Sequence, residues 1–120
     1  MIDIGIGVLK GKVLTKIIGD KDSYELIFIT NEGEIFKMYH VRDCCESVFI
    51  EDICGELSWL IGSPILIAEE RCSDENPPNN HDFSFTWTFY ELSTFQGAVT
   101  IRWYGESNGY YSESVDFERI

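Results

Sequence analysis

Between positions 40 and 46 the chain reads His40-Val41-Arg42-Asp43-Cys44-Cys45-Glu46. An imidazole, two thiols and two carboxylates in so short a stretch are the groups that ligate soft and borderline metals, or carry acid, base and thiol chemistry. Zinc suits this donor set, because it takes nitrogen and sulfur ligands in a tetrahedron. His40, Cys44 and Cys45 can converge on one ion if the chain turns sharply at Arg42-Asp43. The remaining ligand is open among Cys54, Cys72, His81, Asp43, Glu46 and Glu69. Neither a Cys-x2-Cys pair nor a His-Glu-x2-His motif occurs. The competing reading treats the cysteines as small buried apolar groups and gives His40 a hydrogen bond to a backbone carbonyl or to Glu46.

A cysteine nucleophile fits the same stretch poorly. Asp43, Glu46, Glu51 and Asp52 surround it with negative charge, which disfavours a thiolate, and no glycine-rich oxyanion element precedes it. The paired acids Glu51-Asp52 and Glu69-Glu70 read as solvated surface charge, since a magnesium site built from oxygen ligands usually borrows substrate phosphate. No residue is assigned a catalytic role, and the chain is expected not to be an enzyme.

Charge is unevenly distributed. The 120 residues carry a net charge of −12. Residues 1–42 hold six basic and six acidic side chains, whereas residues 43–120 hold three basic and fifteen acidic ones. Such a field repels phosphate, so direct nucleic-acid binding is not expected, and it attracts basic surfaces. The candidate contact set is Glu46, Glu51, Asp52, Glu56, Glu69, Glu70, Asp74 and Glu75. With four cysteines and no secretory leader at Met1-Ile2-Asp3-Ile4-Gly5, the expectation is a cytoplasmic protein with reduced thiols. No apolar run is long enough for a membrane helix.

These groups must be positioned mainly by strands. Lys12–Ile18 ends at the turn cluster Gly19-Asp20-Lys21-Asp22. Tyr24–Thr30 and Glu34–Val41 form a hairpin through Asn31-Glu32-Gly33, with Phe36, Met38 and His40 on one face. Ser47–Cys54 reads as a strand, and residues 55–61 as one short helix stopped by Gly62 and Pro64. Ile65–Ala68 is extended, and residues 73–82 form a polar loop.

In the last third, Phe83, Phe85, Trp87 and Phe89 alternate with Ser84, Thr86, Thr88 and Tyr90. Val99, Ile101 and Trp103 alternate with Thr100, Arg102 and Tyr104. Turns fall near Gln96-Gly97 and Ser107-Asn108-Gly109. This predicts a three-stranded meander, completed by Tyr111, Val115 and Phe117, with one apolar face and one polar face that includes Thr86, Thr88, Tyr90, Arg102 and Tyr104. The polar face is a candidate surface for a partner or a small ligand. The expected fold is mainly β, bordering on α+β. Antiparallel strands form a barrel-like or sandwich arrangement, in a single domain over residues 1–120.

Several blocks carry a resemblance: Asp43-Cys44-Cys45-Glu46-Ser47-Val48, Glu51-Asp52-Ile53-Cys54-Gly55, Gly62-Ser63-Pro64-Ile65, Ala68-Glu69-Glu70, and Arg102-Trp103-Tyr104-Gly105-Glu106-Ser107-Asn108-Gly109-Tyr110-Tyr111. Over residues 34–115 the set resembles a family of small proteins of unknown function from phages and prophages of Firmicutes. Small acidic phage proteins include anti-CRISPR inhibitors of Cas9, at least one of them zinc-containing. The resemblance implies an acidic interaction protein that binds a basic, nucleic-acid-handling host protein and blocks DNA loading, with a structural zinc. Exposed strand edges leave monomer and homodimer both open. Two alternatives are a small-ligand binder, such as a sponge for a nucleotide signal, and a metal-dependent enzyme.

Overall fold

The computed structural model describes residues 5–42, 45–73, 84–107 and 112–120. Asp43, Cys44, Asp74, Glu75, His81 and the turn at Asn108-Gly109 lie outside the described residues.

Among the described residues eight strands form two antiparallel sheets: β1 (Leu14–Ile18), β2 (Glu25–Thr30), β3 (Ile35–Tyr39), β4 (Ser47–Cys54), β5 (Ile67–Ser73), β6 (Ser84–Thr94), β7 (Gly97–Ser107) and β8 (Asp116–Arg119). One sheet has the order β1-β2-β3-β8, the other β4-β7-β6-β5. Neither closes on itself, and the arrangement is sandwich-like. Alternation drives it. Leu26, Phe28, Phe36, Met38 and Phe117 point inward from the first sheet, and Val48, Ile50, Tyr90, Leu92, Val99, Ile101 and Trp103 from the second; all are buried. The Trp103 indole N–H reaches Met38 Sδ at 3.1 Å, tying the two sheets through the core.

The expected hairpin is β2–β3, with Phe28 opposite Phe36. The expected strand over residues 47–54 is β4. The short helix expected over residues 55–61 is a single 3-10 turn, Leu57–Leu60; a second such turn spans Ile6–Leu9, and no α-helix occurs among the described residues. Gly55 and Gly62, both at positive φ, bracket too few residues for two α-turns.

The C-terminal meander differs in two ways. β8 leaves the second sheet and pairs with β3, so β7 lies between β6 and β4. The expected faces of β6 are also inverted. Thr88, Tyr90, Leu92 and Thr94 are buried against the first sheet, while Phe85, Trp87 and Phe89 face outward beside Arg102 and Tyr104. Pairing register decides this. Tyr90 sits opposite Ile101 and Thr88 opposite Trp103, and partners directly across a ladder share a face.

Candidate functional site

The connection from β3 to β4 carries the chain from one sheet to the other, and His40 fastens it. The parity that buries Phe36 and Met38 also turns His40 inward. Its Nε2 lies 2.8 Å from Glu46 Oε2, and Nδ1 lies 2.6 Å from the Ser114 carbonyl oxygen. The two side chains are 5% and 0% exposed. A carbonyl oxygen only accepts, so Nδ1 donates to it, and the Nε2–Glu46 contact holds one proton between imidazole and carboxylate. Three segments therefore meet at one ring: the end of β3, the start of β4 and the approach to β8. Nearby, the Val41 N–H donates to Asp116 Oδ2 at 3.1 Å.

This geometry bears directly on the metal reading. With both ring nitrogens engaged, His40 offers no lone pair to an ion unless one of these bonds breaks. Cys45 is disulfide-bonded rather than reduced as expected, and a disulfide sulfur is not a thiolate ligand. Cys54 and Cys72 are free and exposed. No group of three metal-ligating side chains occurs among the described residues. The described residues alone therefore complete no zinc site, and Asp43, Cys44 and His81 of the candidate set lie outside them.

A cavity of about 370 Å³ opens beside the clasp, lined by Tyr24, His40, Arg42, Glu46, Ser47 and Val48.

The expected contact acids fall into distinct places. Glu46 is not on the surface; its pairing with His40 buries it completely, which corrects its assignment as a partner contact. Glu51 and Asp52 share one side of β4 because a bulge between Ile50 and Asp52 breaks the strict alternation. Both approach Arg102, at 2.5 Å and 3.7 Å from Nη2. Glu56 is exposed at the rim of a second cavity, formed with Lys21, Ile53 and Ser58. Glu69 and Glu70 are exposed on β5, at the edge of the second sheet.

Glu113 was not anticipated. It is buried, and it accepts hydrogen bonds from Thr86 Oγ1 at 2.8 Å and from Ser107. The alternation Ser112-Glu113-Ser114-Val115 carried the signal, since Glu113 and Val115 share the inward side.

Two tyrosines report on the acidic surroundings. Burial, then hydrogen bonding to Glu118, pushes the Tyr39 phenol up to about 12; burial, then hydrogen bonding to Glu106, does the same for Tyr104. A folded-state value above the ordinary 10 means that the stabilisation is fully present below pH 10 and is lost as pH rises towards 12. The melting temperature is expected to fall across that window, and a phenolate absorbance titration should place Tyr39 and Tyr104 among the late-ionising tyrosines. If every tyrosine ionises near pH 10 while the chain is still folded, both assignments fail.

The fold and the site together define an antiparallel β-sandwich protein with a buried imidazole–carboxylate clasp. Residues 8–117 match the family described as Domain of unknown function (DUF7448), and the chain belongs to that family. No curated protein and no solved structure matches the chain. No helix among the described residues is long and apolar enough to cross a membrane.

Proposed function

We propose that this protein is a non-catalytic binding protein that engages a basic protein surface through its acid-rich sheet. The observation that carries this reading is how the charge asymmetry maps onto the fold. The neutral stretch of residues 1–42 builds β1, β2 and β3, and the acidic remainder builds the whole of the β4-β7-β6-β5 sheet together with β8, which brings Asp116, Glu118 and Arg119 to the first sheet. The edge of the second sheet presents Glu69 and Glu70 to solvent. A field of this sign steers basic surfaces into contact and repels free phosphate.

Proteins that handle nucleic acid carry basic grooves. In the phage setting implied by the sequence resemblance, the partner is a host-defence nuclease such as Cas9, with its DNA-loading groove occupied by this chain. Zinc has no part in the reading, because the His40–Glu46 pair already closes the β3–β4 connection. The sponge for a nucleotide signal needs cationic donors, and Arg102 is taken up by Glu51 and Asp52.

The test is binding to guide-loaded Cas9 at low and high salt, with displacement of target DNA as the readout. Affinity is expected to fall steeply as salt rises, and the double variant Glu69→Lys, Glu70→Lys to bind at least about tenfold more weakly with an unchanged melting temperature. Salt-independent binding, or full affinity in the charge-reversed variant, would remove the acidic edge from the interface. An absence of any binding at low salt would remove Cas9 as the partner.

A further inference from the structure

We infer that the outward face of the β4-β7-β6-β5 sheet is the docking surface, and that it takes arginine- and lysine-bearing segments between its aromatic rings and carboxylates. This rests on the binding reading above and adds the place and the mode of recognition.

The first observation is an aromatic row where a solvated sheet face is ordinarily polar. Phe85 and Trp87 from β6 meet Tyr104 from β7, with ring centroids 5.8 Å and 4.7 Å apart. Tyr104 in turn meets Phe49 of β4 at 6.0 Å, and Phe49 meets Tyr24 at 6.4 Å. Phe49, Phe85, Trp87 and Tyr104 are half-buried, and Tyr24 is 67% exposed. None of these rings belongs to the core cluster. A contiguous row of half-buried rings outside the core suits a contact surface, because each ring keeps part of its apolar area in water for a partner to cover.

The second observation selects the occupant. Glu51, Asp52, Glu69, Glu91 and Glu106 lie on or beside this face; among the described residues of the four strands the facing cations are Arg71 and Arg102, with Arg42 beside Tyr24 at one end. Both strand cations are already engaged, Arg71 with Glu91 at 3.8 Å and Arg102 with Glu51 and Asp52. The face is therefore apolar in its rings and negative in its surroundings. A ligand bearing phosphate or carboxylate is disfavoured, and a cation with a flat or apolar stem is favoured.

The third observation is that the face already holds one such cation. The Arg102 guanidinium carbon lies 5.2 Å from the Trp87 ring centroid while Nη2 contacts Glu51. Ring below and carboxylate beside is the arrangement that a partner's arginine would repeat over Tyr104 and Phe85, with Glu106 in the role of Glu51. Guanidinium suits this better than ammonium, because it stacks and pairs at once.

An arginine-rich synthetic peptide is the probe, titrated into isotope-labelled protein at low salt and followed by nuclear magnetic resonance. The Trp87 indole N–H and the amides of β6 and β7 are expected to shift. The Trp87→Leu, Phe85→Leu variant should bind at least about tenfold more weakly, and a lysine peptide of equal charge should bind less tightly than the arginine one. Shifts confined to β1–β3 in the unmodified protein would overturn the surface whatever the variants do. Peptide binding that survives loss of both rings but is abolished by Glu69→Lys, Glu70→Lys would overturn the aromatic platform and leave the acidic reading standing. Failure of the peptide to bind at any salt would overturn both. Shifts on this face with a neutral oligosaccharide and none with the peptide would overturn the cationic occupant.

Discussion

Replacing His40 by alanine is expected to destabilise the protein by about 3–5 kcal/mol, among the largest effects of any single substitution in the chain. The reason is what stays behind. Glu46 has a fully buried side chain, and removing the imidazole takes away the ring nitrogen held 2.8 Å from its carboxylate. The Ser114 carbonyl loses its donor in the same step. His40→Gln, which retains a hydrogen-bond donor, should cost less. The double variant His40→Ala, Glu46→Leu should recover part of the loss, because the buried carboxylate goes with the imidazole.

Urea denaturation of the three variants supplies the free energies. Metal analysis of the unmodified protein separates a clasp from a metal site: a clasp predicts unfolding curves that chelation does not move. Stoichiometric zinc whose removal unfolds the chain would overturn this account, as would a His40→Ala variant as stable as the parent.

His40 also shows how far the sequence can be read. Its place in the strand pattern was legible, since Phe36, Met38 and His40 alternate onto one face and all turn inward. The bland role for it, a carbonyl and Glu46 as partners, was legible as well, and both partners are used at once. What the local pattern could not supply was Ser114, distant in sequence and brought near only because β8 pairs with β3. The faces of β6 failed for a related reason. Phe85, Trp87 and Phe89 are more apolar than Thr86, Thr88 and Tyr90, so composition placed them in the core. Pairing register overrode composition, because Val99, Ile101 and Trp103 on β7 had already fixed which side of the sheet is buried. The resulting aromatic face is a local inconsistency of the kind that marks functional surfaces. The bulge at Glu51, which puts two successive acids beside Arg102, leaves no periodic signal at all.

Gly105→Ala is expected to cost about 2–3 kcal/mol although it adds a single methyl group. Gly105 lies on the inward side of β7, where its neighbours in the pattern are Trp103 and Ser107, and the segment 112–115 passes directly over it on its way to β8. A Cβ built there would lie 2.9 Å from the Glu113 carbonyl oxygen, 3.0 Å from the Glu113 Cβ and 3.2 Å from a methyl of Val48. The nearest of these atoms is backbone, which cannot rotate aside as a long side chain can. The crossing segment must move.

That segment supplies Ser114 to His40 and Glu113 to Thr86 and Ser107, so lifting it loosens the clasp and a buried carboxylate together. The loss in Gly105→Ala should therefore overlap with that in His40→Ala, and the double variant should be more stable than the sum of the two predicts. Denaturation of the single and double variants measures the coupling. Strict additivity would show that the crossing segment and the clasp respond independently, and an unaltered Gly105→Ala melting curve would show that the segment does not need the space.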